Sequence, residues 1–258
     1  MPGPAGPTST TSQTPSARRL CARACAAIIA ISESTRRDLL ERFAVPPERV
    51  AVVPYGVDPH FRPLSPAERA PVLARYGLGE QPYLLFVGRI ELRKNVARLL
   101  DAFARLRRQG LPHRLVLVGS AGNAEPVAAL YAKAAALGPA VALLDYVAHD
   151  ELPALYSGAA AFVWPSLYEG FGLPPLEALA CGAPVVTSDV ASLPEVVGDA
   201  ALLIDPTSVE AIAAAVERLL GDAALRATLR ARGLERARRF TWAAAARATR
   251  EVYRRAAG

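Results

Sequence analysis

Four short apolar runs in this chain are each followed at once by residues with chemical capacity. After Tyr83–Val87 comes Gly88-Arg89-Ile90-Glu91-Leu92-Arg93-Lys94-Asn95. Gly88 allows a tight turn. Arg binds an oxyanion through two donors and Lys supplies a point charge, so Arg89 and Lys94 together suit a diphosphate. The bland alternative is a solvated loop of charges. After Val118 comes Gly119-Ser120-Ala121-Gly122, where glycine admits a ligand or merely shapes a turn. After Leu144 comes Asp145-Tyr146-Val147, whose backbone and aromatic ring could frame a base.

The fourth segment is the most informative. Trp164 is followed by Pro165, Ser166, Leu167, Tyr168, Glu169, Gly170, Phe171, Gly172, Leu173, Pro174, Pro175, Leu176 and Glu177. Gly170 and Gly172 free the backbone just before a helix expected to begin at Pro174. Free N–H groups at a helix N-terminus form an anion site, helped by the helix dipole. Glu169 and Glu177 flank it. Carboxylates repel phosphate but accept hydrogen bonds from sugar hydroxyls, so the pair predicts a sugar beside a phosphate. An ordinary loop with a helix-dipole carboxylate is the alternative.

The elements that must position these residues alternate along the chain. Apolar runs predict strands over 26–31, 49–53, 83–87, 114–118, 141–144, 160–164, 184–187 and 201–204. Between and after them, helices are expected from Ser32 or Ser34 to Phe43, and over 95–109, 124–137, 174–181, 209–220, 223–237 and 241–256. Asp150 is expected to cap a further helix running through Ser157. The strands are uniformly apolar, the mark of a parallel sheet covered on both faces. Repeated strand–helix units predict an α/β fold with a Rossmann-like, doubly wound parallel sheet, whose ligands sit at the carboxyl ends of the strands. The expected divisions are a disordered leader at 1–25, a strand–helix–strand unit at 26–58 and an irregular Pro-rich linker at 59–80. A Rossmann-like domain at 81–240 and a terminal helix at 241–258 complete the chain.

Composition excludes other classes. Hydrophobic residues make up 52% and charged residues 21%, which is unlike a disordered chain. No apolar run reaches the roughly 18 residues of a membrane span. Met1–Ser16 lacks the apolar core of a signal peptide, which points to a cytoplasmic protein. Cys21, Cys25 and Cys181 form neither a disulfide framework nor a zinc pattern, and are expected to be buried or neutral thiols. Net charge is +6, and 28 of 30 basic residues are Arg. No nucleic-acid-binding motif accompanies that charge, so no nucleic-acid partner is expected. Arg226, Arg230, Arg232, Arg236, Arg238 and Arg239 form a basic stretch. It is either a solvated helix face or a patch for anionic lipid at the inner face of the membrane.

With these residues in view, the chain resembles the family 4 retaining glycosyltransferases, which have the two-domain GT-B fold. The resemblance rests on Gly88-Arg89 with Lys94, Gly119, Asp145-Tyr146-Val147, and Glu169 and Glu177 around Gly-Phe-Gly, and runs from Ala26 to the C-terminus. It implies that the chain is the C-terminal, nucleotide-sugar-binding half of that fold. Arg89 and Lys94 would hold the donor diphosphate and stabilise it as leaving group. Backbone N–H groups around Gly170, Phe171, Gly172 and Leu173 would hold phosphate, and Gly88 and Gly119 would admit the donor. Glu169 would bind sugar hydroxyls, Glu177 the ribose, and the backbone near Val147 the base. The catalytic residues implied are Arg89, Lys94 and Glu169. The family uses no metal, no cofactor is implied, and the sequence has no DxD-type metal site. The donor implied is GDP- or UDP-linked, with GDP-mannose first, and the acceptor is a glycan or a lipid-linked sugar.

The sequence departs from that pattern in one large respect: 26–58 resembles only the last strand–helix–strand of the family's N-terminal domain. His60, His113 and His149 match none of its motifs and are expected to be structural or surface residues. The apolar face of the last helix (Trp242, Ala245, Ala246, Val252, Tyr253) is expected to be partly orphaned. Three readings follow. The chain is half of a transferase, completed by a separate N-terminal-domain polypeptide or read from a truncated frame. Or it is a catalytically incomplete module that binds nucleotide sugar. Or it is a GT-B nucleotide-sugar epimerase, which the Glu169/Glu177 pair with Arg89 and Lys94 disfavours.

Overall fold

The computed structural model describes residues 24–79, 81–120 and 125–257. Most of the expected leader, Cys21 and the Ala121-Gly122 end of the second loop lie outside them. The described chain opens with β1 (Ile28–Ala30), helix α1 (Glu33–Phe43) and β2 (Val50–Val52). The two strands pair in parallel, with Ile28 opposite Val50 and Ala30 opposite Val52, as a two-stranded sheet of their own. Ser32 caps α1 by accepting from the Thr35 N–H.

The main sheet has six parallel strands: β3 (Tyr83–Val87), β4 (Arg114–Val118), β5 (Val141–Leu144), β6 (Ala161–Trp164), β7 (Val185–Ser188) and β8 (Ala201–Ile204). Their order is β5-β4-β3-β6-β7-β8, the doubly wound sheet expected. β3, β6 and β7 are buried along their whole length, as helices on both faces require. The edge strands are less covered, and Leu143 of β5 and Leu203 of β8 are partly exposed. Helix α3 (Val96–Arg108) buries the expected stripe of Leu99, Leu100, Phe103 and Leu106. Direction reverses between β3 and β6, so the loops after these two strands face each other across the switch-point crevice.

Three local expectations change. The 59–80 stretch is not irregular, because it contains helix α2 (Pro66–Arg75). Ser65 accepts from the Glu68 N–H and Glu68 accepts from the Ser65 N–H, a capping box with Pro66 at the first helical position. Second, Asp150 does not cap the helix that follows β5. After helix α4 (Glu125–Ala136), which precedes β5, that next helix is α5 (Leu152–Gly158). It starts after Glu151, whose carboxylate bonds Arg75 and Tyr76 instead. Third, the helix after β6, α6, spans Leu173–Ala180, and a short helix α7 (Leu193–Val197) follows β7.

The chain ends with α8 (Val209–Gly221), α9 (Ala223–Ala237) and α10 (Trp242–Ala256). The Arg-rich stretch on and after α9 is divided, with Arg226 and Arg236 partly buried in the fold and Arg230, Arg232, Arg238 and Arg239 exposed. Arg226 donates to the Leu219 carbonyl and Arg236 to the Val196 carbonyl, each at 2.9 Å. Arg232 and Arg239 pair with Asp199 and Glu235. No helix among the described residues is long and apolar enough to cross a membrane. On α10 the expected apolar face is covered at Val252, which is buried, while Trp242 and Tyr253 are exposed. With Ile29, Ile31, Val53 and Tyr55 they line a groove of about 370 Å³. Cys181 is buried, and burial pushes its thiol far above the ordinary range, while Cys25 is exposed.

Gly119 shows how closely the strand ends approach. Its φ is +133°, and a Cβ there would lie 2.2 Å from the Gly88 carbonyl oxygen. The neighbour is backbone and cannot step aside. We expect Gly119→Ala to lower stability by about 3 kcal/mol. Gly110 has a positive φ of +91° but nothing within 4 Å, so Gly110→Ala should cost only about 1–2 kcal/mol. Urea unfolding of both variants checks this, and equal losses would remove the close-approach explanation.

Candidate active site

The crevice between β3 and β6 is organised around Glu169. This carboxylate is only 7% exposed. Lys94 Nζ lies 2.6 Å from its Oε1 and Arg93 Nη1 2.8 Å from its Oε2. Burying a carboxylate is costly unless it is paired and hydrogen-bonded, and here both oxygens are engaged. A one-turn 3-10 segment, Leu92–Lys94, points both cations at the β6 loop. Lys94 also stands 4.5 Å from the centroid of the buried Trp164 ring, a cation–π contact. Asn95 closes the turn in the left-handed region, at φ 58°. Its side-chain amide donates to the Pro165 and Pro206 carbonyls.

The cations differ from the sequence expectation. Arg89 and Lys94 are the expected pair, but the Arg89 side chain is 71% exposed and its ion partner is Glu91, at 3.5 Å. Arg93 takes the inner position and also donates to the Tyr168 carbonyl at 2.7 Å. A signal for Arg93 exists in the sequence, since it adjoins Lys94. Spacing alone does not say which of three neighbouring cations turns inward.

The loop after Glu169 is held by hydroxyl groups. The buried Ser192 Oγ lies 2.9 Å from the Glu169 carbonyl and 2.8 Å from that of Phe171, sharing its proton between them. The Gly170 carbonyl accepts from Ser32 Oγ at 2.7 Å and from Thr35 Oγ1 at 3.1 Å. Both belong to the N-terminal unit. Among the described residues, nothing accepts from the backbone N–H groups of Gly170, Phe171 or Gly172. With its carbonyls occupied, the segment has only N–H donors left to offer, the composition of an anion cradle. The Phe171 side chain is buried edge-on against Tyr55 and Phe240, so only its backbone serves the crevice.

Helix α6 supplies less than expected. Pro174 and Pro175 have no N–H, so the donors of its first turn reduce to Leu173 and the cap, Gly172. Gly172 has φ +108°, and a Cβ there would meet Leu193 at 2.8 Å. Gly170 is not comparably constrained, since a Cβ there would reach nothing closer than 3.4 Å. A Cβ on Gly88 would meet the Trp164 ring at 2.7 Å, and Gly119 is pressed against Gly88. Both glycines are thus explained by packing. Val147 is buried just after β5, beside the exposed Tyr146.

Glu177, one turn into α6, is separate from the cation cluster. Its Oε2 accepts from the Tyr156 hydroxyl at 2.8 Å. Burial raises its pKa, while the Tyr156 hydrogen bond and nearby His60 pull it back down. His60 itself is fixed, with Nδ1 2.9 Å from Asp58 and its ring 4.5 Å from that of His149.

Comparison with known proteins settles the family. A model described as "Glycosyl transferases group 1" matches residues 74–236. The chain belongs to the group 1 glycosyl transferases. A second model, "Glycosyltransferase Family 4", matches residues 9–61, in agreement with the resemblance read from the motifs. The chain is 41% identical over 216 residues to the O-antigen chain mannosyltransferase B of Escherichia coli, covering 83% of this chain and 57% of that protein. It is 37% identical over 251 residues to the D-inositol 3-phosphate glycosyltransferase of Kineococcus radiotolerans, covering 89% and 57%. Among solved structures, sucrose-phosphate synthase from Thermosynechococcus elongatus superposes with a TM-score of 0.78 at 30% identity, over 93% of this chain and 60% of that one. The Anabaena HepE complex with UDP-glucose superposes at 0.82 and 21% identity, over 93% and 65%, which shows the shared GT-B fold. The group 1 chain thus spans a little over half the length of these two curated relatives.

The Lys94–Glu169 pair lies at 12% and 9% side-chain exposure, little screened by solvent. A double-mutant cycle on Lys94→Ala and Glu169→Ala, followed by urea unfolding, should return a coupling of about 1–3 kcal/mol. A coupling below about 0.5 kcal/mol would mean that the pair does not organise the crevice.

Proposed function

We propose that this chain binds the diphosphate of a nucleotide-diphospho-sugar and supplies the donor-binding half of a retaining hexosyltransferase. The observation that carries the reading is the switch-point crevice itself. Lys94 and Arg93 stand on one wall, and the Gly170–Gly172 segment, with its N–H groups unclaimed among the described residues, stands on the other. The diphosphate would lie against those donors. Charge grows on the leaving phosphate as the sugar departs, and preorganised cations and N–H groups offset it without a metal. Arg89, exposed on its loop, would fold in over the outer phosphate, Glu169 would accept from sugar hydroxyls, and Glu177 from the ribose. The buried Val147 turn would face the base.

The sugar proposed is a hexose, with mannose first, because relatives at 41% and 33% identity are named mannosyltransferases. The base is guanine or uracil; a UDP-glucose complex of the same fold supports a nucleotide sugar in general. The acceptor would be a glycan or lipid-linked sugar, and the reaction belongs on the cytoplasmic side. A chain that binds donor but transfers nothing is the second reading.

Calorimetric titration with GDP, UDP and their hexose conjugates, with a transfer assay on the same sample, tests both readings. Micromolar binding is expected, weakened about 10- to 100-fold by Lys94→Ala, the loss of one charge-assisted contact. Turnover selects the transferase reading, and binding without turnover the second. Absence of nucleotide binding by a sample whose circular dichroism shows it folded would sink the donor-site reading.

A further inference from the structure

Glu169 and Glu177 are alike in chemistry and end in opposite states. Both oxygens of Glu169 are engaged by cations. Glu177 has Oε2 bound to the Tyr156 hydroxyl, and among the described residues nothing donates to its Oε1. Tyr156, on α5, is fully buried. Its ring is wedged edge-on between Phe162, 5.4 Å away, and Phe61, 5.9 Å away. The phenol therefore cannot swing aside, and a carboxylate gripped through one oxygen by a rigid donor presents the other in a fixed direction.

We propose that Tyr156 is a positioning residue: by holding Oε2, it aims the free Oε1 of Glu177 at the ribose hydroxyls of the donor nucleotide. The inference rests on the reading of Glu177 as the ribose contact. Among the described residues, three titratable groups face Glu177. They are Tyr156 from α5, His60 from the segment before α2, and Cys181 just beyond the end of α6. Cys181 is neutral because burial suppresses its ionisation. Burial also drives the Tyr156 pKa far up, so the phenol keeps its proton and always donates. His60 is tied to Asp58 and to the His149 carbonyl, and its field is the same with or without the Tyr156 hydroxyl.

Two consequences follow from removing that hydroxyl. The direction of Oε1 is lost, so the ribose hydroxyls lose their acceptor. The ionised carboxylate also loses a hydrogen bond that favours it, so its already raised pKa rises further. Ribose recognition needs the ionised form, and its acid limb must therefore move to higher pH.

The test titrates GDP and UDP against their 2′,3′-dideoxy forms between pH 5 and 8. The samples are the wild-type chain, Tyr156→Phe, Glu177→Gln and Glu177→Asp. The wild type should prefer the ribonucleotide by about 10-fold, one good hydrogen bond to a charged group. Tyr156→Phe should reduce that ratio several-fold and shift its acid limb upward, with dideoxynucleotide affinity unchanged. Glu177→Asp keeps the charge but withdraws it from the phenol, and should lose the ratio equally if Tyr156→Phe does not fold. Equal weakening of both nucleotides in Tyr156→Phe would reveal a packing role and overturn the proposal, as would an unchanged ratio and acid limb. Glu177→Gln with an undiminished ratio would instead overturn the reading of Glu177 on which the proposal stands.

Discussion

A carboxylate that the fold has nearly removed from water holds the crevice together. Glu169 comes from the loop after β6, and its two partners come from the loop after β3. These strands are neighbours only because the sheet reverses direction between them. The ion pairs therefore join two segments that are 75 and 76 residues apart in sequence. Once Glu169 is fixed, the residues from Tyr168 to Phe171 have little freedom. Arg93, Ser32, Thr35 and Ser192 take up their carbonyls. What the loop can still present is the N–H side of its peptide groups, and the glycine at 172 lets the chain enter α6 at a positive φ.

The N-terminal unit is not a passive neighbour of that loop. Glu195 of α7 accepts from the Glu33 and Ser34 N–H groups, each at 2.9 Å, and so caps α1. A carboxylate there also meets the positive end of the α1 dipole. Tyr168 bonds Asp38 on the same helix. At the other end, the Val57 N–H donates to the Phe240 carbonyl at 3.1 Å, and a Cβ on Gly56 would lie 2.1 Å from the Trp242 nitrogen. The 26–58 segment is thus bound to both the Glu169 loop and the start of α10. Displacing α1 would release the Gly170 carbonyl and the order that it imposes.

Much of the fold was legible because burial on both faces leaves a mark in the chain. Runs such as Leu84-Leu85-Phe86-Val87 and Phe162-Val163-Trp164 have no polar residue to turn outward, and only a covered parallel strand explains them. Helix α2 was hidden by its prolines, which resemble irregular chain. The contrary signal is Ser65 followed three residues later by Glu68, and Pro66 and Pro71 outweigh it. The positions of the two glutamates were legible, but their states were not. Whether a carboxylate meets two cations or one phenol depends on side chains 21 to 76 residues distant. The same holds for Ser192, a hydroxyl without a motif, and for the bond from Ser32, legible only as a helix cap, to the distant Gly170 carbonyl. Gly88 and Gly119 are also required by packing, since a Cβ on the first would meet the Trp164 ring and one on the second the Gly88 carbonyl, neighbours that the sequence does not show.

The charge balance of the crevice follows from this arrangement. Arg93 also meets Glu91 at 3.6 Å, so the three cations and two carboxylates of the crevice together leave a single positive charge, less than a diphosphate carries. Without Glu169, Arg93 and Lys94 would stand close together with like charge in a partly dry site, at a cost that grows as water is excluded. Glu169 thus acts as an internal counter-ion that keeps the crevice formed. On the proposed reading, an arriving diphosphate competes for Lys94 and Arg93 and leaves Glu169 with lone pairs for the sugar hydroxyls beside it. The remaining charge must be met by groups that do not depend on Glu169. These are the loop N–H groups, which are neutral and already aligned, and Arg89, which is exposed and constrained only by a loose contact with Glu91. An exposed arginine is ill suited to hold a fold together and well suited to reach an anion from solvent. On the proposed reading the three cations of the motif therefore differ: Lys94 and Arg93 order the site before the ligand arrives, and Arg89, held only loosely by Glu91, reaches out to it.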